Sequence, residues 1–212
     1  MLKVNEIFYS IQGEGTKAGL PCTFIRLTYC NLRCSYCDSE YAFYEGKDFS
    51  IEEILNEVKS INCNLVEVTG GEPLMQGDSL ILMEELCKLN YDVMLETGGS
   101  LPIENIDENV KIILDLKCPS SNMEKKNLYE NIDFLKLEDE VKFVIGSRID
   151  FDWSRNLIEK YKLTEKCNVL FSPVFDEIEN EQLAEWILEE NLNVRFQIQL
   201  HKQIWDPNKR GV

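Results

Sequence analysis

The chain is short of positive charge. Lys and Arg total 22 against 38 Asp and Glu, a net charge of −16 over 212 residues. A surface so acidic excludes general binding to nucleic acid or to an anionic membrane. Long apolar runs are missing too, since none reaches the roughly 20 residues of a membrane span. Met1-Leu2-Lys3-Val4-Asn5-Glu6 lacks the pattern of a secretory leader. No internal repeat, low-complexity tract or linker interrupts the chain, so one domain over residues 1–212 is expected. Its 44% apolar residues suffice for a sizeable core. Unpaired cysteines without a leader point to a reducing, cytoplasmic compartment.

A fourth cysteine is also missing where it would matter. Cys30-Asn31-Leu32-Arg33-Cys34-Ser35-Tyr36-Cys37 carries three thiols at C-x3-C-x2-C. For a chain with 8 Cys, about 0.01 such patterns arise by chance. Three thiols make a poor structural zinc site, which closes with four ligands. They are also one short of an all-cysteine 4Fe–4S cluster. A cubane on this loop therefore keeps one iron free for a substrate or cofactor. The remaining Cys22, Cys63, Cys87, Cys118 and Cys167 have apolar neighbours and are expected as buried thiols.

Around that loop the chain alternates. Residues 3–9 and 22–28 read as extended, separated by the Gly-rich turn Ile11-Gln12-Gly13-Glu14-Gly15, and residues 41–49 are aromatic and irregular. Ser50-Ile51-Glu52-Glu53 has the form of a capping box, and Ile51, Ile54, Leu55 and Val58 give the helix behind it one apolar face. Strands are then expected at 64–69, 91–96, 110–116, 139–145, 167–172 and 193–199, with helices at about 79–89, 125–135, 151–162 and 180–190. Only 103–107 is too short to assign. Most of these strands are continuous apolar runs, as in strands covered on both faces. The fold class is α/β: about six β/α units after one initial strand, their parallel sheet curled toward a barrel of the TIM type, complete or partial. Chemistry in such folds gathers at the C-terminal ends of the strands. The polar and glycine-rich stretches Thr69-Gly70-Gly71-Glu72-Pro73, Glu96-Thr97-Gly98-Gly99, Asp115-Leu116-Lys117 and Gln197–His201 do fall after strands.

The cysteine motif followed, one helix and one strand later, by Gly70-Gly71-Glu72-Pro73 resembles the radical S-adenosylmethionine superfamily, which implies a partial (β/α)6 barrel of the TIM type with an extra N-terminal strand segment. The resemblance implies that Cys30, Cys34 and Cys37 hold a 4Fe–4S cluster, and that S-adenosylmethionine chelates its open iron and is split to a 5′-deoxyadenosyl radical. Bare glycines let backbone groups reach the cofactor's ammonium, with Glu72 adding negative charge nearby. A narrower likeness spans nearly the whole chain. Ile11-Gln12-Gly13-Glu14-Gly15, Phe24-Ile25-Arg26, Cys37-Asp38-Ser39, Glu96-Thr97-Gly98-Gly99, Lys117-Cys118-Pro119-Ser120-Ser121 and the end from Ile204 to Val212 together resemble the 7-carboxy-7-deazaguanine synthase family.

That family resemblance implies conversion of 6-carboxy-5,6,7,8-tetrahydropterin to 7-carboxy-7-deazaguanine and ammonia, in queuosine biosynthesis, through hydrogen abstraction at C6 and ring contraction. It assigns Ile11, Gln12, Gly13, Arg26, Thr69, His201 and the Val212 carboxylate to the substrate, with Arg26 forked on its carboxylate. Tyr36, Asp38, Ser39, Gly70, Gly71, Glu72, Asp115, Leu116 and Lys117 go to the cofactor. Ser39 is also assigned to a Mg²⁺ shared with the substrate, since a hydroxyl is a hard ligand and Mg²⁺ accepts few protein contacts. Many members carry Ser-Pro-Lys where this chain has Asp115-Leu116-Lys117. A flavodoxin or ferredoxin reductant and a homodimer are further implications. Two alternatives stay open at this point: an activase for a glycyl-radical enzyme, and a non-enzymatic iron–sulfur or zinc protein.

Overall fold

A computed structural model describes residues 1–212. The chain runs β1 (Leu2–Ile11), β2 (Pro21–Leu27), β3 (Lys47–Phe49), α1 (Ile51–Ile61), β4 (Leu65–Gly70), α2 (Asp78–Lys88), β5 (Asp92–Thr97), β6 (Lys111–Asp115) and β7 (Glu140–Ile145). It continues through α3 (Arg148–Tyr161), α4 (Leu163–Lys166), β8 (Asn168–Pro173), α5 (Asn180–Glu189), β9 (Arg195–Phe196) and α6 (Leu200–Ile204). All nine strands form one sheet in the order β3-β1-β2-β4-β5-β6-β7-β8-β9. From β2 to β9 the pairing is parallel, while β1 runs antiparallel to both of its neighbours. The two ends of the sheet do not pair, so this is a partial barrel with an added N-terminal edge.

Side chains alternate across each strand, and the two faces differ in chemistry. Outward residues Ile25, Leu27, Val66, Val68, Val93 and Leu95 pack against Ile54, Val58, Leu82, Met83 and Leu86 of α1 and α2. On the other half, Ile112, Leu114, Val141, Phe143 and Phe171 meet Phe151, Leu157 and Ile158 of α3 and Leu183 and Ile187 of α5. Phe171 lies edge-on to both Phe143 and Phe151, at 5.7 and 5.5 Å between centroids. The inward face carries one apolar layer, Cys22, Phe24, Leu65, Met94 and Ile113. Beside it lie Arg26, Glu67, Thr69, Glu96, Asp115 and Lys142. The runs expected to be apolar throughout are thus wholly apolar on the helix side only; on the inward face one apolar layer gives way to charge.

The expected capping box of α1 is present: Ser50 Oγ accepts from the Glu53 amide and the Glu53 carboxylate accepts from the Ser50 amide. Three expectations need correction. No α-helix forms over 125–135, where two short 3₁₀ turns stand instead. The Asn127 amide clamps the backbone N–H and C=O of Lys117, at 2.9 and 3.0 Å. Asn131 similarly holds Ile103 N–H and Leu101 C=O. Side-chain amides tied to other segments compete with helical pairing here. The last strand shrinks from 193–199 to Arg195–Phe196, because Gln197 and Gln199 turn in to bond Gly15 and Glu14. Of the five outlying cysteines, Cys22, Cys118 and Cys167 are buried, whereas Cys63 and Cys87 are only partly so.

The N-terminal turn has an unexpected place. Because β1 is antiparallel, residues 12–17 start at the N-terminal ends of the parallel strands. Lys17 pairs with Asp92 and Thr16 bonds Glu140, both at strand starts. The turn then fills the gap between the sheet's ends: Gly15 N–H donates to Gln197 Oε1 at 2.6 Å, and Leu200 N–H donates to Gly13 C=O at 3.0 Å.

Candidate active site

One cavity of about 860 Å³ opens at the C-terminal ends of the parallel strands and reaches down into the lumen. The cysteine loop forms one wall. Tyr29, at φ 79°, turns the chain out of β2 and into that loop, and its carbonyl accepts from the Glu72 amide at 2.7 Å. Left-handed backbone in a bulky residue persists only where neighbours fix it. Leu32 is buried beneath the loop, its amide donating to Cys30 Sγ at 3.4 Å, while Ser35 is tied to the backbone of Ser120 and Ser121. Cys30, Cys34 and Cys37 are free, partly buried and face the cavity.

These thiols fit an iron–sulfur cluster by their chemistry. They form no disulfide, and no three His, Cys, Asp or Glu side chains converge on a single ion. A cubane makes another demand, one thiolate on each of three irons. Burial pushes the Cys34 thiol up to about 11 against the pull of Lys117, and raises Cys30 against the Leu32 amide. Deprotonation would therefore accompany metal binding.

Gly70 and Gly71 stand next to that wall. A Cβ on Gly70 would strike the Leu27 carbonyl, and one on Gly71 would meet the Tyr29 carbonyl and Cys30 Cβ. Bare backbone is thus required where the end of β4 crosses the cysteine loop. Glu72 needs a correction, for it does not line the cavity. It is wholly buried, accepting from the Leu74 and Gly98 amides at 3.1 and 2.8 Å and from Thr97 Oγ1 at 2.9 Å. Its carboxylate ties the Gly-Gly turn to the end of β5. Leu116 likewise points into the core. Its flanking residues reach the cavity: Lys117 Nζ lies 2.8 Å from Asp115 Oδ2, and Asp115 Oδ1 is buried without a partner.

The same cavity gathers Ile11, Gln12, Gly13, Arg26, Thr69, His201 and Val212, with Arg26 and Thr69 paired on β2 and β4 just before the cysteine loop and Gly70. Arg26 Nε donates to Glu6 Oε1 at 2.9 Å, and Tyr41 Oη donates to the same oxygen at 2.9 Å. Gly13 permits close approach of His201, whose imidazole would collide with any Cβ there. Burial holds His201 below its ordinary pKa, against the attraction of Glu14 and Asp38. The tail does fold inward, as its assignment requires. Residues 207–212 line the cavity, and Arg210 covers the Tyr41 ring at 3.9 Å. Beside Cys37, Ser39 Oγ lies 3.9 Å from Cys37 Sγ, and Asp38 is held by Lys202 and Gln199 at 3.0 and 3.1 Å.

Sequence reasoning missed the floor of the site. Lys142 Nζ reaches Glu14 Oε2 at 2.6 Å and Glu96 Oε1 at 2.7 Å, and Gln12 Nε2 donates to Glu67 Oε2. Burial, then the charge of Glu96, pushes Glu67 well above the usual carboxylate range. Burial also works against the Glu96 charge, yet Lys142 prevails and holds it lowered. The only signal in the sequence was a charged residue at an inward position of an apolar strand, such as Glu67 in Leu65–Thr69 or Lys142 in Val141–Ile145.

Residues 24–188 match the profile of the Radical SAM superfamily. The 7-carboxy-7-deazaguanine synthase of Chlorobaculum tepidum is 44% identical over 214 residues, covering 100% of this chain and 97% of that protein. That of Koribacter versatilis is 42% identical over 226 residues, covering 100% of both. Among solved structures, QueE from Escherichia coli superposes with a TM-score of 0.79 over 94% of each chain, at 22% identity. These relatives do not favour the activase, carrier or zinc-protein alternatives. No helix is long and apolar enough to cross a membrane.

Proposed function

The chain belongs to the 7-carboxy-7-deazaguanine synthase family of radical SAM lyases, and from that premise we propose that its cavity binds 6-carboxy-5,6,7,8-tetrahydropterin beside S-adenosylmethionine and forms 7-carboxy-7-deazaguanine with loss of ammonia. One observation carries the reading. Three free thiols with no fourth share a single cavity with the Gly70-Gly71 backbone and with Arg26, Gln12, Gly13 and His201.

When bound, the cluster and S-adenosylmethionine supply the electron and the radical that removes the substrate's C6 hydrogen. The chain's own residues bind, orient and exclude water. In this reading Cys30, Cys34 and Cys37 hold the cluster. The Gly70-Gly71 backbone, Asp115, the Lys117 backbone clamped by Asn127, and Tyr36, Asp38 and Ser39 hold the cofactor. Arg26, its Nε occupied by Glu6, turns its remaining N–H groups to the substrate carboxylate. Ile11, Gln12, Gly13, Thr69, His201 and the Val212 carboxylate complete the pterin site. Ser39 Oγ, a hard oxygen 3.9 Å from Cys37 Sγ, would ligate a Mg²⁺ shared with the substrate. A flavodoxin or ferredoxin reductant, a homodimer and a cytoplasmic setting belong to the same reading.

The test is a product assay. Anaerobically reconstituted protein, with reductant, S-adenosylmethionine, Mg²⁺ and the tetrahydropterin, should yield 7-carboxy-7-deazaguanine. Cys30→Ala should yield none and lose the cluster's absorbance. Ser39→Ala should impair substrate use more than cofactor cleavage, and omitting Mg²⁺ should mimic it. Wild-type protein that holds a cubane but makes no deazaguanine would overturn the proposal.

A further inference from the structure

The floor of the cavity holds more acid than base. Lys142 is on the inward face of β7, between Glu140 and Val144, while its outward neighbours Val141 and Phe143 belong to the core. Its side chain is only 7% exposed. Its ammonium touches two carboxylates from distant parts of the chain: Glu14, rising from the N-terminal turn, and Glu96, at the end of β5. It is the one cation in ion-pair contact with either of them. The other charges around it are matched elsewhere. Asp115, 3.9 Å away, has Lys117 at 2.8 Å; Asp38 has Lys202; Arg26 has Glu6. Glu67 takes the Gln12 amide. His201 completes the set of titratable groups on this floor.

One ammonium between two half-buried carboxylates, 17% and 28% exposed, leaves a negative charge uncompensated, an arrangement that favours the arrival of further donors. Room for them exists. Beyond Lys142, Glu14 Oε1 takes the Gln199 amide at 3.0 Å, its Oε2 has Gln197 at 3.4 Å, and Glu96 Oε2 takes Thr69 Oγ1 at 3.2 Å. A carboxylate offers about four lone-pair sites. We propose that Lys142 is a positioning residue, holding Glu14 and Glu96 in place and aimed into the cavity, where they accept the N–H donors of the substrate's 2-amino-4-oxo-pyrimidine edge. This rests on the pterin reading above and adds the half of the site that faces the ring rather than the carboxylate.

The experiment uses reconstituted holoenzyme and steady-state kinetics across pH. Lys142→Met should raise KM for the tetrahydropterin about tenfold, with kcat changed less than about threefold. Without the ammonium Glu96 takes up a proton more readily, so the acid limb of kcat/KM should move up by about one pH unit. Lys142→Arg, which keeps the charge, should return KM to within about threefold of wild type and leave the limb in place. The EPR change on adding S-adenosylmethionine should be the same in all three proteins. If Lys142→Met does not fold, Glu14→Gln is measured instead; it leaves Lys142 matched to Glu96 alone and should raise KM about tenfold. Unchanged KM with an unmoved acid limb in the variant measured overturns the role of Lys142. Failure of wild type itself to turn over the pterin overturns the reading of the site, a distinct result.

Discussion

At the scale of single residues, the lumen of this barrel keeps polar groups where a packed core would have none, and each must be matched or neutral. Glu67 is pushed toward the neutral form. Its carboxyl is raised by burial and by Glu96, so folding retains a proton that the unfolded chain, with a pKa near roughly 4.3, would release. The stability tied to this group is therefore full below about pH 4.3 and falls as pH rises toward the folded value. Glu67→Gln keeps an acceptor for Gln12 and removes that dependence. Urea unfolding of the cluster-free protein at pH 5 and pH 7.5 should show the variant gaining on wild type at the higher pH. A difference that stays constant between the two would mean Glu67 is ionised. The cysteine trio and the bare Gly70-Gly71 pair were legible because their spacing is rare. Glu67 and Lys142 were not, because a charged residue in a strand looks the same whether it faces solvent or a lumen.

At the scale of elements, local signals were sound wherever the chain's own neighbours satisfy them. Ser50 and Glu53 exchange two hydrogen bonds within four residues, and the helix begins where the sequence places it. Ser50→Ala should cost about 1 kcal/mol in denaturant unfolding, with the m-value unchanged. A change in m would show that more than the cap was lost. Residues 125–135 failed as a helix for the opposite reason. Asn127 and Asn131 spend their amides on Lys117, Leu101 and Ile103, partners that only the folded chain brings near. The Gln12–Gly15 turn reads as a connection between two strands, yet β1's antiparallel direction makes it the wedge between the sheet's two ends.

At the scale of the molecule, the C-terminal segment acts as a strap over the mouth. Lys202 and Gln199 fasten it to Asp38 in the cysteine loop, and Arg210 stacks on Tyr41 with Glu45 at 3.3 Å. The exposed Arg210–Glu45 pair adds little by itself, and a cation–π contact at such a site contributes about 0.5–1 kcal/mol. The strap is therefore held by several weak contacts, consistent with a segment that admits ligands. Removing Gly211 and Val212 should raise KM for the pterin about three- to tenfold while leaving reductive cleavage of S-adenosylmethionine unchanged. Unchanged Michaelis constants would take the Val212 carboxylate out of the site.

What the sequence determined by itself is the chemistry at one wall: three thiols, two glycines and the strand–helix rhythm that puts them at one end of a barrel. Spacing along the chain suffices for these, because the cysteines share one loop and the glycines one turn. How the remaining lining and the floor come together was decided by tertiary structure alone. Glu14, Glu96 and Lys142 are separated by whole strands and helices, and Arg26, His201 and Val212 come from the two ends of the chain. No local preference makes such groups meet. They meet because strand alternation turns one face inward, and because the antiparallel β1 sends its turn up into the gap.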